Sequence, residues 1–407
     1  MNDSETESPA RKRRVNLRRP DVMELVTAEV ARHYHSSLVE QIRDQDGVHR
    51  IGRTTFMLAK EFGFCYGVER AIDLAYASRR VFPEERIFLI GEIIHNPDVN
   101  RQLAEMRITS LPWREIDASY DSLTADDVVI VPAFGAPMAF MDKLEARGCR
   151  IVDTTCGDVM KVWRRVREYA RDGFTSIIHG KADHEETRAT ASRALGADGE
   201  GKFLVVLTLD DVGRVCDFIR HGGETSEFMR RFAGGHSADF DPGRDLQRIG
   251  VANQTTMLKS ETEEIQRRLR EAIRDRDDGD DSAFRVFDTI CGATQERQDA
   301  LHEMLRQPPD LLLVIGGYNS SNTAHLVEIA APVTPTFFIR NADCLESLGH
   351  ILHFDLDAKS ETRVAINDLL DPAKPVTIGI TAGASCPANL IEETIRRVLD
   401  LRGEAPA

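Results

Sequence analysis

The sequence predicts an α/β fold of three units with mostly parallel sheets, and three observations carry that prediction. Strand-like apolar runs repeatedly end at small or polar residues and give way to helical patterns, as in IFLIGEIIHNP, DDVVIVPAFGAP, TSIIHGKADHEE, LLLVIGGYNSSN and VTIGITAGASCP. Such punctuation indicates parallel sheets, whose ligands gather beyond the carboxyl ends of the strands. One cysteine phrase is written twice, as VDTTCG at Val152–Gly157 and FDTICG at Phe287–Gly292. Finally, Val68, Ala71, Ile72 and Ala75 after Cys65 repeat the offsets of Val159, Val162, Trp163 and Val166 after Cys156. That spacing puts an amphipathic helix directly behind each cysteine. The segment after Cys291 fits less well, because only Ala300, Leu301, Met304 and Leu305 restore the stripe.

In chain order, residues 1–54 form a polar extension with an RKRR run, expected as a solvated tail followed by one helix over roughly residues 22–43. The extension has no apolar signal core, and Asp3, Glu5 and Glu7 argue against a transit peptide. Residues 55–150 are the first α/β unit, with Cys65. Residues 151–285 are the second, with Cys156 and the glycine-rich stretch His221–Asp245, expected as a solvated excursion. Residues 286–407 are the third, with Cys291 and the C-terminal segment.

Composition excludes several classes. Of 407 residues, 42% are hydrophobic and 29% charged, as in ordinary globular proteins. No apolar run suits a membrane span, and a net charge of −15 argues against a nucleic-acid partner. Seven scattered cysteines do not make a secreted disulfide scaffold, so the expected compartment is reducing cytoplasm.

Cys149, Cys216 and Cys344 read as small buried residues. Cys65, Cys156 and Cys291 each sit at a strand-to-helix turn, where backbone N–H groups and the helix dipole favour a thiolate. Paired C-x-x-C spacing, common in zinc sites, is absent. Three thiolates from three units suit an iron–sulfur cluster at a shared centre, with one iron left open to act as a Lewis acid. Cys386, followed directly by Pro387, is expected to stand outside this set.

The strand-end loops also carry groups suited to a phosphorylated ligand: His95; His179, Lys181, His184, Glu185, Glu186 and Thr187; Gln254, Thr255 and Thr256; Asn319, Ser320, Ser321 and Asn322; and Ser385. Hydroxyls, amides and imidazoles can encircle a phosphate without a nucleotide-binding glycine loop. Glu186 is the candidate acid for a departing hydroxyl, and Glu185 is assigned to solvent. Lys161, Arg164, Arg165, Arg167 and Arg171 form a basic segment after Cys156, a candidate docking face for an acidic carrier.

GFCYGVERAI, HNP, DTTCG, HGK with HEET, QTT, TICGATQ, NSSN and TAGAS follow in that order between about Thr55 and Arg397. On these motifs the chain resembles the LytB family of hydroxymethylbutenyl diphosphate reductases, which complete the non-mevalonate isoprenoid pathway. The resemblance implies three α/β domains around a central 4Fe–4S cluster held by Cys65, Cys156 and Cys291. It implies that His95, His184, Ser320, Ser321, Asn322 and Ser385 bind the diphosphate of the allylic substrate, and that Glu186 donates a proton with Thr255 beside it. It further implies reductive dehydroxylation to isopentenyl and dimethylallyl diphosphate, with electrons from a carrier such as ferredoxin or flavodoxin. Many members have a further diphosphate-binding His in the loop that reads PAFGAP here, where this chain has Phe134. Two other readings remain open on the residues alone. One is a different three-cysteine cluster enzyme, of the quinolinate synthase or hydro-lyase kind; the other is a non-enzymatic iron–sulfur or phosphometabolite sensor.

Overall fold

Runs of aliphatic and β-branched residues become the centres of three parallel sheets in the computed structural model, which describes residues 15, 17–112, 120–287 and 289–404. The chain divides into two units, the first comprising residues 1–16, 82–91 and 108–291 and the second residues 17–81, 92–107 and 292–407.

The first unit contains two four-stranded sheets. One runs Ile108–Leu111, Ile87–Ile90, Val128–Val131, Arg150–Asp153, parallel throughout. The other runs Phe284–Val286, Ile249–Asn253, Thr175–His179, Phe203–Val206, also parallel. Ile87–Ile90, Val128–Val131, Thr175–His179 and Ile249–Asn253 are buried at every residue. Parallel strands covered on both faces read as continuous apolar runs for this reason.

The second unit holds a five-stranded sheet ordered Val48–Ile51, Thr54–Leu58, Val376–Ala382, Leu311–Ile315, Thr336–Ile339. All its pairs are parallel except the first, a hairpin. A separate antiparallel sheet of Leu345–Ser347, His350–Asp355 and Ser360–Ala365, which the sequence pattern does not announce, belongs to this unit.

Each parallel sheet therefore supplies one cysteine turn, but the sheets are not continuous segments. Thr54–Leu58, the strand before Cys65, pairs with Val376–Ala382 in the sheet of the last third of the chain. Arg150–Asp153 and Phe284–Val286 are edge strands of their sheets, and the expected divisions at 150 and 285 cut through them, parting each strand from the sheet it closes. Parallel pairing needs no local turn, so partner strands can come from opposite ends of a chain.

The extension forms two helices instead of one, Pro20–Tyr34 and Ser37–Asp44. Ser36 interrupts them because its hydroxyl caps the second, accepting the Val39 N–H at 3.0 Å. The RKRR run lies outside the described residues. The glycine-rich stretch is no solvated excursion: Phe228, Phe232 and Phe240 are buried in a core with Val212, Cys216 and Leu246. Its glycines flank the short helix Thr225–Arg231, which carries Phe228, while Phe232 and Phe240 pack from the turns that follow it. Among the described residues no helix is long and apolar enough to cross a membrane.

Candidate active site

In the first unit, the DTTC phrase builds its turn through side chains. Asp153 accepts the Thr155 N–H at 3.0 Å and the Thr155 hydroxyl at 2.6 Å, while the Thr154 hydroxyl donates to the Val131 carbonyl at 2.6 Å. The turn ends with Cys156 at the N-cap of the helix Gly157–Arg171, its own N–H given to the Ala133 carbonyl at 2.9 Å. The positive end of that helix favours a thiolate there. Cys291 stands just before the helix Gly292–Met304 and donates its N–H to the Thr255 carbonyl at 3.2 Å. Thr289 in the same turn donates its hydroxyl to the Asn253 side chain. Asp288, the counterpart of Asp153 in the repeated phrase, lies outside the described residues.

The strand Thr175–His179 leads to His184, the N-cap of the helix Glu185–Ala194. His184 Nδ1 accepts the Glu186 N–H at 3.1 Å, which in the neutral ring leaves the proton on Nε2. The ring meets Phe134 edge-on, with centroids 5.7 Å apart. Glu186 is only 2% exposed, and Thr255 engages both its oxygens. The Thr255 N–H reaches Oε1 at 2.6 Å and its hydroxyl reaches Oε2 at 3.0 Å. Gln254 stitches the two loops together, its Oε1 accepting the Lys181 N–H and the Thr187 hydroxyl, each at 3.2 Å. Glu185 and Lys181 are half-buried, not fully in solvent, and His179 is 0% exposed at the strand end with Nδ1 2.8 Å from the Thr262 hydroxyl.

In the second unit, Cys65 precedes the helix Tyr66–Val81 and donates its N–H to the Ala384 carbonyl at 3.3 Å. Gly63, two residues earlier, has φ +82°, a left-handed value that side chains resist. Its carbonyl accepts a 2.5 Å hydrogen bond from Arg297, which is 3% exposed and also donates to the Ala293 carbonyl at 2.8 Å.

His95 precedes Asn96, which caps the helix Pro97–Glu105. His95 Nδ1 lies 3.0 Å from Glu92 Oε2, and the Asn319 amide donates to the same oxygen at 2.8 Å. Burial alone would raise the Glu92 carboxyl, but the His95 hydrogen bond and charge, with the Asn319 amide, hold it below its usual range. A carboxylate there assigns the proton to Nδ1 and turns Nε2 away from Glu92. Ser385 donates its hydroxyl to the His95 carbonyl at 3.1 Å. A Cβ on Gly317 would stand 2.3 Å from that carbonyl oxygen, so only glycine lets the loops close up. Ser320 caps the helix Ser321–Ala330, accepting the Thr323 N–H at 3.3 Å. Ser321 and Asn322 are 3% and 2% exposed. Neither Asn322 Oδ1 nor Nδ2 has a partner among the described residues. A buried amide in that state suits a polar ligand.

Thus Cys156, Cys291, His184, Glu186 and Thr255 lie in the first unit, and Cys65, His95, Ser320, Ser321, Asn322 and Ser385 lie in the second. Glu92 and Arg297 are supports that the sequence pattern did not single out; the signal for Glu92 was its place three residues before His95.

The cysteines separate by exposure. Cys65, Cys156 and Cys291 are partly exposed, whereas Cys149, Cys216, Cys344 and Cys386 are buried. Burial pushes the Cys216 thiol up to about 11 and Cys386 higher still, so both stay protonated and poor as ligands. The reason expected for setting Cys386 apart needs correcting. It too lies between a strand, Val376–Ala382, and a helix, Ala388–Arg402, with Pro387 as N-cap. Complete burial distinguishes it, not the turn. Each of the three partly exposed thiols stands at a helix entrance, a setting that favours a thiolate.

Residues 56–399 match the family model described as LytB protein. A 4-hydroxy-3-methylbut-2-enyl diphosphate reductase of Thermosynechococcus vestitus is 46% identical over 94% of this chain and 93% of its own length. One from Gloeobacter violaceus is 46% identical over 93% of this chain and 90% of its own. Among solved structures, (E)-4-hydroxy-3-methyl-but-2-enyl diphosphate reductase, the terminal enzyme of the non-mevalonate pathway, aligns with TM-score 0.52 and 25% identity, covering 85% of this chain and 99% of that one. The Plasmodium falciparum E-1-hydroxy-2-methyl-but-2-enyl-4-diphosphate reductase shares the fold, with TM-score 0.60 and 20% identity over 84% of this chain and 86% of that one. Motif order, strand-end geometry and similarity along nearly the whole length agree, and the chain belongs to the LytB family.

Proposed function

We infer that this chain is an oxidoreductase that reductively dehydroxylates 4-hydroxy-3-methylbut-2-enyl diphosphate to isopentenyl and dimethylallyl diphosphate. The observation that carries the reading is the buried Glu186–Thr255 pair, whose Thr255 carbonyl is bonded to the N–H of the half-exposed Cys291. A carboxyl so enclosed and held at both oxygens is set up to move one proton at a fixed place. A sensor has no use for it, and a hydro-lyase would consume no electrons.

Cys65, Cys156 and Cys291 would hold a 4Fe–4S cluster, and their partial exposure at helix entrances supports this. When bound, such a cluster supplies electrons one at a time and an open coordination position. The chain's own side chains do the rest. His95 and His184 each present Nε2 to the diphosphate, with Nδ1 engaged by Glu92 in one and by the Glu186 N–H in the other. Ser320, Ser321, Asn322 and Ser385 add neutral donors, and Asn322 gains the partners it lacks. Glu186 delivers a proton to the departing hydroxyl, and the Thr255 hydroxyl at Oε2 keeps the acid aligned.

The electron donor is proposed to be an acidic carrier such as ferredoxin or flavodoxin in the reducing cytoplasm. Lys161, Arg165 and Arg171 are paired with Asp158, Glu168 and Asp172. Arg164 and Arg167 are exposed, without an ion pair among the described residues, and would provide the docking charge. An anaerobic assay of the cluster-loaded chain with a chemical reductant and the hydroxymethylbutenyl diphosphate tests the function. Both isoprenoid diphosphates should appear with consumption of two electrons, and substrate turnover without electron consumption would refute the reductase reading.

A further inference from the structure

The N-terminal helices grip the Cys65 turn at residues 62 and 64, and Arg18, just before the first helix, reaches residue 66. Arg43 donates to the Phe62 carbonyl at 2.9 Å, and its guanidinium lies 4.2 Å from the Phe62 ring centroid. The Tyr34 ring meets Phe64 edge-on, with centroids 5.5 Å apart. Arg18 donates to the Tyr66 hydroxyl at 3.3 Å. The residues between them are held by backbone hydrogen bonds from elsewhere, Gly63 by Arg297 and Cys65 by the Ala384 carbonyl.

The grip is itself anchored. Tyr34 is 8% exposed and accepts a 3.2 Å hydrogen bond from the Tyr76 hydroxyl, which lies 2.7 Å from His33 Nδ1. Ser36, at the head of the second helix, donates to Glu392 at 2.5 Å. A free tail could not restrain the turn, but two docked helices can.

We propose that Tyr34 and Arg43 are positioning residues for the Cys65 thiol. They keep its turn closed, and so set how long a cluster bound there survives. The proposal rests on the reading of Cys65 as a cluster ligand. It assigns the extension a task at the site that its distance in sequence conceals.

The test uses the full chain in two states. In the cluster-free, reduced protein, a pulse of iodoacetamide followed by peptide mass spectrometry gives the alkylation rate of Cys65 relative to Cys156. Tyr34→Ala/Arg43→Gln should raise that ratio about tenfold, the scale for removing an edge-on ring pair and a cation–ring pair at once. Tyr34→Phe keeps the ring against Phe64 and loses only the Tyr76 hydrogen bond, so its rise should be far smaller than that of the double variant. In the cluster-loaded protein, the double variant should lose visible absorbance to a ferrous chelator several-fold faster, with a changed electron paramagnetic resonance signal on reduction. An unchanged ratio, or an equal rise at both cysteines, overturns the proposal, since general loosening would expose both. A selective rise at Cys65 with unchanged cluster lifetime overturns it through the ligand reading and not through the grip. If the double variant does not fold, Arg43→Gln alone, at an exposed side chain, carries the same comparison with a smaller selective rise.

Discussion

Replacing Glu186 by Gln separates its hydrogen bonds from its acidity. Thr255 donates its N–H to Oε1 and its hydroxyl to Oε2, so a Gln amide has one orientation that preserves both interactions. Its oxygen takes the N–H, and its NH2 donates to a Thr255 hydroxyl rotated to accept. At 2% exposure no water replaces either hydrogen bond, so this orientation is enforced. The structural cost is the charge-assisted part of two hydrogen bonds, about 1–2 kcal/mol. The chemical cost is larger, because a positioned acid is worth roughly a hundredfold to ten-thousandfold, or about 3–5 kcal/mol in barrier height. Glu186→Gln should therefore fold, load a normal cluster and bind substrate, while single-turnover reduction slows by that factor. Glu185→Gln, without the Thr255 hydrogen bonds, should be far milder and controls for lost negative charge. Near-parental turnover of Glu186→Gln at matched cluster content would remove the proton donor from this residue.

Single Ser replacements of Cys65, Cys156 and Cys291 should each abolish stable visible absorbance from the cluster, whereas Cys386→Ala should keep it; loss of the cluster in Cys386→Ala would refute the three-ligand set. Arg164→Glu/Arg167→Glu should weaken carrier-driven turnover, itself salt-sensitive, while turnover with a small reductant survives; equal losses with both donors would discard the docking face. Glu92→Gln should raise KM for the diphosphate more than it lowers kcat, because His95 loses the carboxylate that orients it. The folded-state carboxyl of Glu92 is depressed, so its stabilisation is present above the ordinary value of 4.5 and is lost as pH falls through the folded value. Acid unfolding followed by circular dichroism should show the parent losing its advantage over Glu92→Gln in that window, and a constant difference between them would contradict the pairing.

Much of the layout was legible because local chemistry encodes it. Strand-to-helix turns at Cys65, Cys156 and Cys291 follow from apolar runs meeting helical stripes, and the capping role of Ser320 follows from a hydroxyl before a helix. Ser36 carried the same capping signal, overlooked within a long apolar pattern. What escaped was mainly nonlocal. Nothing around Thr54–Leu58 announces that its partner is Val376–Ala382. The glycines flanking Phe228, Phe232 and Phe240 suggested solvent, yet burial depends on what those rings meet. The turn at Cys386 shows the limit most sharply, for only packing distinguishes its thiol from the three exposed ones.

The pairing of Thr54–Leu58 with Val376–Ala382 also orders events during synthesis. The Thr54–Leu58 strand is made long before the neighbour that places it inside its sheet. Until then it has only its hairpin partner Val48–Ile51, and a lone hairpin is marginal in water. The N–H of Cys65 waits on Ala384 in the same way. The Cys65 turn therefore stays incomplete until Val376–Ala382 and Ala384 have been made, and any ligand that needs Cys65 must wait for them. Slow, long-range closure of this kind leaves an apolar strand open to wrong partners until its neighbour is made. Protection of that strand and completion of the Cys65 turn thus wait on the same event.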